Sequence, residues 1–269
     1  MVEEKATPGP DTRRKAASYY DLAPHRPNDV PFYLGRLRSS ESRVLELGCG
    51  TGRVSIPLVK HGARLLGVDH SDAMLDVLRA KVPPDVEARL RLTRADISDF
   101  DLGEVFDLVI APFRVVQNLA TDDELSGLLR CIRRHLAPDG RCILNAFRPN
   151  RARAEMIAAW PSGEEHLAWT VDVEAGYVSC HDRRVRVQED PLVLYPEFVY
   201  RHVVDGDVVD EAVLRIAMRC FYAEEFVARI EAAGFKVTDR WGGYAGEVYG
   251  EGPELVVEFV ADGDAHRRG

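Results

Sequence analysis

From Arg43 onward the apolar and polar positions fall into a repeating order. The runs "RVLEL", "ARLLGVD", "VFDLVIAPF" and "RCILNAF" are short, continuous and bounded by glycine, proline or charge, which predicts buried strands. "ARLRLTRAD" predicts one more strand, after the second of these. The segments "RVSIPLVKH", "SDAMLDVLRAKV" and "TDDELSGLLRCIRRHL" predict helices, the last two capped by Ser71 and Thr121. Pro57 falls in the first turn of its helix, where a missing amide costs little. Strands alternating with helices through short turns predict an α/β fold with a doubly wound, mostly parallel sheet.

After Pro149 this alternation stops. "WTVDV", "YVSCHDRRVRVQ", "LVLYPEFVYRHVV" and "VVDEAVLRIAMRCF" are rich in β-formers, and the "DGD" at Asp205 to Asp207 predicts a hairpin turn. An antiparallel meander inserted after the fifth strand is expected. "AEEFVARIEAAG" then predicts a helix stopped at Gly234, and "FKVTDRWGG" and "ELVVEFVA" predict two strands that complete the sheet. Upstream, Arg13 to Tyr20 and Asp29 to Leu37 predict short helices, the second capped by Asn28, and residues up to about Thr12 have nothing to bury. The expected division is a tail and helical lid over 1–40, a ligand-binding core over 41–150, the β insert over 151–221, and a closing helix and strands over 222–269.

Composition narrows the function. Over 269 residues the formal net charge is −9, which opposes general nucleic-acid binding, since that requires a basic surface. No apolar run approaches the ~18 residues of a membrane-spanning helix, and the charged N-terminus lacks the apolar centre of a signal peptide. Five scattered cysteines without a CxxC pair suggest neither a disulfide framework nor a metal site. The expectation is a cytoplasmic protein with no metal, no nucleic acid and no membrane; a homodimer is left open.

The chemistry centres on "VLELGCGTGRVSIPL", Val44 to Leu58, with Gly48, Gly50 and Gly52 between strand and helix. Three glycines exceed what a plain turn requires and let a ligand approach the backbone. A dinucleotide fingerprint would place its third glycine where Arg53 stands. Glu46 beside the turn would repel a pyrophosphate but suits a cationic ligand. No lysine followed by serine or threonine completes a phosphate loop.

"VLELGCGTGR", "LLGVDHSDAML", "TRADISDFDL" and "FDLVIAPF", in this order, resemble the motifs of class I S-adenosylmethionine-dependent methyltransferases. The resemblance covers Arg43 to Phe147 in register. It implies a Rossmann-like, mostly parallel seven-stranded sheet and S-adenosylmethionine as cofactor. It assigns Glu46, Gly48, Gly50 and Gly52 to the methionine portion and Asp69 to the ribose hydroxyls. His70 and Met74 would lie beside the adenine, Asp96 would accept from its amino group between Ala95 and Ile97, and Ala111 and Pro112 would lie near the sulfonium. Plainer roles stand beside these: Asp69 as a helix cap, Asp96 as a turn former, Met74 as core.

For the acceptor side, Phe113, Gln117, Arg148 and Tyr244 are candidate substrate contacts, with Arg114, Asn118, Glu247 and Tyr249 nearby. Tyr20, with Tyr19 beside it, is the candidate lid residue, and His25 the candidate base. His166, His181 and His202 are weaker candidates. "APFR" replaces the N/D-P-P-Y/F tetrad of base- and amide-methylating enzymes, which disfavours those acceptors. The expected reaction is in-line methyl transfer to nitrogen or oxygen of a small metabolite or natural-product intermediate. Methylation of protein or RNA, and a binding module without catalysis, are the alternatives; a nicotinamide enzyme is disfavoured by Glu46 and Arg53.

Overall fold

The structure, a computed structural model, describes residues 16–24 and 28–263. The tail before Thr12 and His25 lie outside the described residues. Residues 16–20 are helical (α1). There follow α2 (Val30–Leu34), β1 (Arg43–Leu47), α3 (Ser55–Lys60), β2 (Arg64–Asp69), α4 (Asp72–Lys81), β3 (Leu90–Arg94), β4 (Phe106–Ala111), α5 (Asp122–His135) and β5 (Leu136–Phe147). Then come α6 (Arg153–Ala159), β6 (Glu165–Asp172), β7 (Tyr177–Gln188), β8 (Val193–Val204), β9 (Asp207–Arg215) and β10 (Met218–Arg219), and finally α7 (Ala223–Ala232), β11 (Phe235–Trp241) and β12 (Glu254–Ala261).

The main sheet has seven strands in the order β11-β12-β5-β4-β1-β2-β3. β1 pairs in parallel with β2 on one side and β4 on the other, whereas β12 runs antiparallel between β5 and β11. Adjacent residues of each strand point to opposite faces. Leu45, Val109 and Leu144 therefore join the cluster with Leu128 and Ile132 of α5 and Ile230 of α7. Val44, Leu108 and Ile143 pack instead with Tyr33 of α2 and Leu58 of α3. Both faces are covered, so the strands read as continuous apolar runs.

The insert is a second, antiparallel sheet in which β8 is flanked by β7 on one side and β9 with β10 on the other, and β6 forms an edge. Asp205 and Gly206 both take positive φ (52° and 90°) between β8 and β9, as the "DGD" signal predicts. α1 packs on this sheet: Ala16 is buried against Tyr200 and Leu214, and Tyr19 stacks on Tyr200 with ring centroids 6.0 Å apart.

Ser71 caps α4 by accepting from Met74 N–H at 3.4 Å, and Thr121 and Glu124 form a reciprocal capping box on α5. Several boundaries differ from expectation. α2 ends at Leu34, and its N-cap is Asp29 rather than Asn28, with no capping bond because its carboxylate is engaged elsewhere. β5 begins at Leu136, directly after α5, as Leu136 pairs with Phe106. α6 was not expected from its seven residues; Met156 and Ile157 dock it on Leu192 and Leu194. A short helix of this kind is stabilised by docking more than by propensity.

Candidate active site

The chain reaches β4 only after passing outward through β2 and β3, yet β4 lies beside β1. That reversal opens a crevice at the carboxyl ends of β1 and β4, the place where open α/β sheets bind ligands.

Leaving β1, Gly48, Gly50 and Gly52 take φ of 66°, 54° and 88°, a region that costs other residues roughly 1–2 kcal/mol each. Packing adds a second constraint. A Cβ on Gly48 would lie 2.5 Å from Cγ2 of Val115, so the turn after β4 rests on the glycine turn. A Cβ on Gly52 would collide with Leu78, whereas at Gly50 it would meet nothing within 4 Å. The open face at Gly50 is a cradle that any side chain would start to fill.

Asp69, 7% exposed, braces this turn from the end of β2. Its Oδ2 accepts from Gly50 N–H and its Oδ1 from Ser71 N–H, each at 2.9 Å. Each oxygen keeps a further lone pair, so ordering the turn and accepting from a ligand's hydroxyls are compatible. Glu46 lies beneath the turn, where its Oε2 accepts from Ser55 Oγ at 2.5 Å. Burial pushes its carboxyl up to about 8. Asp96, exposed at the end of β3, accepts at Oδ1 from Ser98 N–H and Oγ at 2.8 and 2.7 Å. His70 is exposed with Nδ1 3.6 Å from Asp69 Oδ1, Met74 is buried in the first turn of α4, and Ala95 and Ile97 pack partly on the core.

At the end of β4, Ala111 and Pro112 are buried and Phe113 is 38% exposed. Phe113 and Arg114 both have positive φ. Arg114 bonds to Glu254 of β12 and Asn145 of β5. The N-terminal segment closes over the same edge: Asp29, fully buried, pairs through both oxygens with Arg53, and Thr51 Oγ1 donates to Asp21 Oδ1 at 2.7 Å. Lys81 pairs with Asp21 as well. Because Tyr19 donates to Asp210 Oδ2 at 2.5 Å, the segment ties the glycine turn to the insert sheet. Tyr20, partly buried, lies between these anchors and contributes to the electrostatics of Arg53.

Other candidates have protein partners. Gln117, 1% exposed, donates to Arg219 O at 2.5 Å and accepts from Phe147 N–H at 2.8 Å, locking the post-β4 turn to β5 and β10. Arg148 donates to the carbonyls of Gly252 and Glu251 at 2.6 and 3.1 Å. Tyr244 packs on Phe32 and Tyr33, with its hydroxyl buried and its titration shifted upward by burial. Glu247 and Tyr249 line a separate cavity of about 380 Å³ with Arg240 and Trp241. His181 and His202 lie on the insert sheet, beside Arg201 and Ala175 O. Among the described residues no cluster of His, Cys, Asp or Glu has metal-binding geometry, and no helix is long and apolar enough to cross a membrane.

The pair Asp29–Arg53 and the group Arg114–Asn145–Glu254 were missed in the sequence. Arg53 was visible only as the residue that breaks the dinucleotide pattern, and Glu254 lies 140 positions from its partner.

The Asp69 carboxylate beside an open glycine turn, with the Glu46 carboxyl beneath it, fits a nucleoside ligand and opposes a pyrophosphate. A family profile described as a methyltransferase domain matches residues 44–140. Cypemycin N-terminal methyltransferase from Streptomyces sp is 34% identical over 208 residues, covering 77% of each chain. The dTDP-3-amino-3,6-dideoxy-alpha-D-glucopyranose N,N-dimethyltransferase of Streptomyces fradiae is 26% identical over 257 residues, 91% of this chain and 94% of its own. In fold, the chain matches SAM-bound CalS10, an amino pentose methyltransferase from Micromonospora echinaspora, with a TM-score of 0.65, 23% identity, and coverage of 91% and 95%. Fold, turn chemistry and kinship agree: the chain belongs to the class I S-adenosylmethionine-dependent methyltransferases, and S-adenosylmethionine is its cofactor.

Proposed function

We propose that this enzyme methylates an amine nitrogen of a small natural-product molecule. The observation that carries the reading is the packing of Val115 on Gly48, which sets the turn after β4 directly against the cofactor cradle. The names of the two relatives place their methyl groups on a cypemycin N-terminus and on an amino sugar, both amines. These favour nitrogen over oxygen.

Bound S-adenosylmethionine supplies a methyl group on a cationic sulfur that leaves as a neutral thioether. The chain's residues hold the two reactants. In this reading the spare lone pairs of Asp69 accept the ribose hydroxyls, and Oδ2 of Asp96 accepts from the adenine amino group beside His70, Met74, Ala95 and Ile97. Glu46, once ionised, faces the ammonium end of the donor. Ala111 and Pro112 would lie near the sulfonium, and Phe113 and Tyr20 would form the wall against which the acceptor rests. Alignment of this kind is worth of order 7–11 kcal/mol in favourable cases. An amine that enters unprotonated brings its own lone pair, so no base is required and His25 is not assigned one. Gln117, Arg148 and Tyr244 support the walls.

On the same reading, the described residues before 41 cover the cofactor core of 41–150, the insert of 151–221 shields the acceptor, and the helix and strands after 221 complete the sheet. A homodimer would join through the insert, which exposes Leu167 and Val185. In this reading the enzyme works in the cytoplasm and takes no nucleic acid, which a net charge of −9 disfavours.

The test is S-adenosylhomocysteine release with a peptide bearing a free N-terminus and with a nucleotide-linked amino sugar, products identified by mass spectrometry. Methylated amine supports the reading. Product methylated only on hydroxyls, or no turnover by cofactor-loaded protein, removes it.

A further inference from the structure

Phe113 at φ 57° and Arg114 at φ 66° are consecutive residues in the left-handed region. Neither is glycine, asparagine or aspartate, the residues that enter it readily. The turn therefore does not choose this backbone unaided. A closed ring of hydrogen bonds holds Arg114 in it. Arg114 N–H donates to Asn145 Oδ1 at 2.9 Å, and Asn145 Nδ2 donates to Glu254 Oε2 at 3.0 Å. Glu254 Oε1 accepts from Nε and Nη2 of Arg114 at 3.1 and 2.5 Å. The ring grips Arg114 by backbone and side chain together.

Asn145 and Glu254 are 1% and 7% exposed, so water competes little for these bonds. They come from paired strands: Asn145 lies opposite Val256, two positions from Glu254, which puts both side chains on one face. The residue after the gripped one, Val115, rests on Gly48. The residue before it, Phe113, presents a part-exposed ring 5.3 Å from the Arg53 guanidinium. Strain held by surrounding structure in this way gathers at functional sites.

We infer that Asn145 and Glu254 are positioning residues for methyl transfer: acting through Arg114, they set the Phe113 ring that aligns the acceptor with the methyl group. The inference rests on the reading that the acceptor lies against Phe113. The ring of bonds controls alignment rather than cofactor affinity, since the glycine turn is held separately by Asp69.

Calorimetry with S-adenosylmethionine and initial rates with the peptide and amino-sugar acceptors test this on Asn145→Ala, Glu254→Gln and the double variant Asn145→Ala/Arg114→Gly. Cofactor affinity is expected to stay within about twofold while kcat falls about tenfold or more in both single variants. Glycine at 114 takes the left-handed backbone without help, so the double variant regains part of the lost kcat; a bond serving stability alone gives no such rescue. Glu254→Gln keeps size and shape, which preserves the test if Asn145→Ala does not fold. Wild-type rates in Glu254→Gln, or a fall in cofactor affinity that accounts for the whole loss, overturns the inference. If wild type binds cofactor but methylates neither acceptor, the acceptor reading fails on its own. The ring is then judged by Phe113→Trp fluorescence. A response to S-adenosylhomocysteine that disappears with Glu254→Gln supports it, and an identical response overturns it.

Discussion

Ser55 Oγ lies 2.5 Å from Oε2 of Glu46, and both side chains are sealed beneath the glycine turn. One hydrogen bond offsets little of the cost of burying a carboxylate, so Glu46 holds its proton up to about pH 8. In the unfolded chain it would release that proton near 4.5. Between those values the folded state binds more protons, so this group's contribution to stability is full below about 4.5 and is lost as pH rises to about 8. Urea midpoints from pH 5 to 9 should show the decline in wild type and a flatter profile in Glu46→Gln; equal slopes would remove the assignment. A cationic ligand favours the ionised form. Cofactor binding near neutrality should therefore release protons, seen as calorimetric heats that depend on the buffer's ionisation enthalpy.

Asp69 accepts from both Gly50 N–H and Ser71 N–H. Asp69→Ala removes those bonds and the acceptor proposed for two ribose hydroxyls. Cofactor affinity should fall by about 1–3 kcal/mol, with far-ultraviolet circular dichroism unchanged. Unchanged affinity would mean the ribose lies elsewhere.

Asp29 and Arg53 form a two-pronged ion pair with Asp29 fully buried. Removing one partner strands the other's charge, so Arg53→Met should cost about 3–5 kcal/mol. The double variant Arg53→Met/Asp29→Asn should recover a large part of that loss in urea denaturation. Additive losses would show that the two residues act independently.

Gly48 combines a left-handed φ with a Cβ position 2.5 Å from Val115. Gly48→Ala should weaken cofactor binding and stability together. Adding Val115→Ala should restore the part that comes from collision and leave the backbone strain of about 1–2 kcal/mol. Thermal melts and calorimetry on the four proteins of this cycle separate the two terms.

Much of the core was legible in the sequence because its signals are local. A continuous apolar run, Ser71 or Thr121 before a helix, and three glycines after a strand each state their conformation within a few residues. Boundaries failed where tertiary contact overrode local preference: Asp29 pairs with Arg53 instead of leaving the cap to Asn28, and α6 forms by docking on the insert. The partners of polar side chains were hidden for the same reason. Gln117 and Arg148 look available in the chain, yet backbone groups around residues 147, 219 and 252 take up their polar atoms.

By itself, then, the sequence determined the alternation of elements, the glycine turn with Glu46 and Asp69 beside it, and the resemblance that names the cofactor. Tertiary structure alone decided how the N-terminal segment joins the turn to the insert and how Asn145 and Glu254 hold Arg114. The physical reason is separation along the chain. A glycine's freedom or a cap is written in its neighbours, whereas a hydrogen bond between residues 114 and 254 exists only after β4, β5 and β12 have assembled side by side.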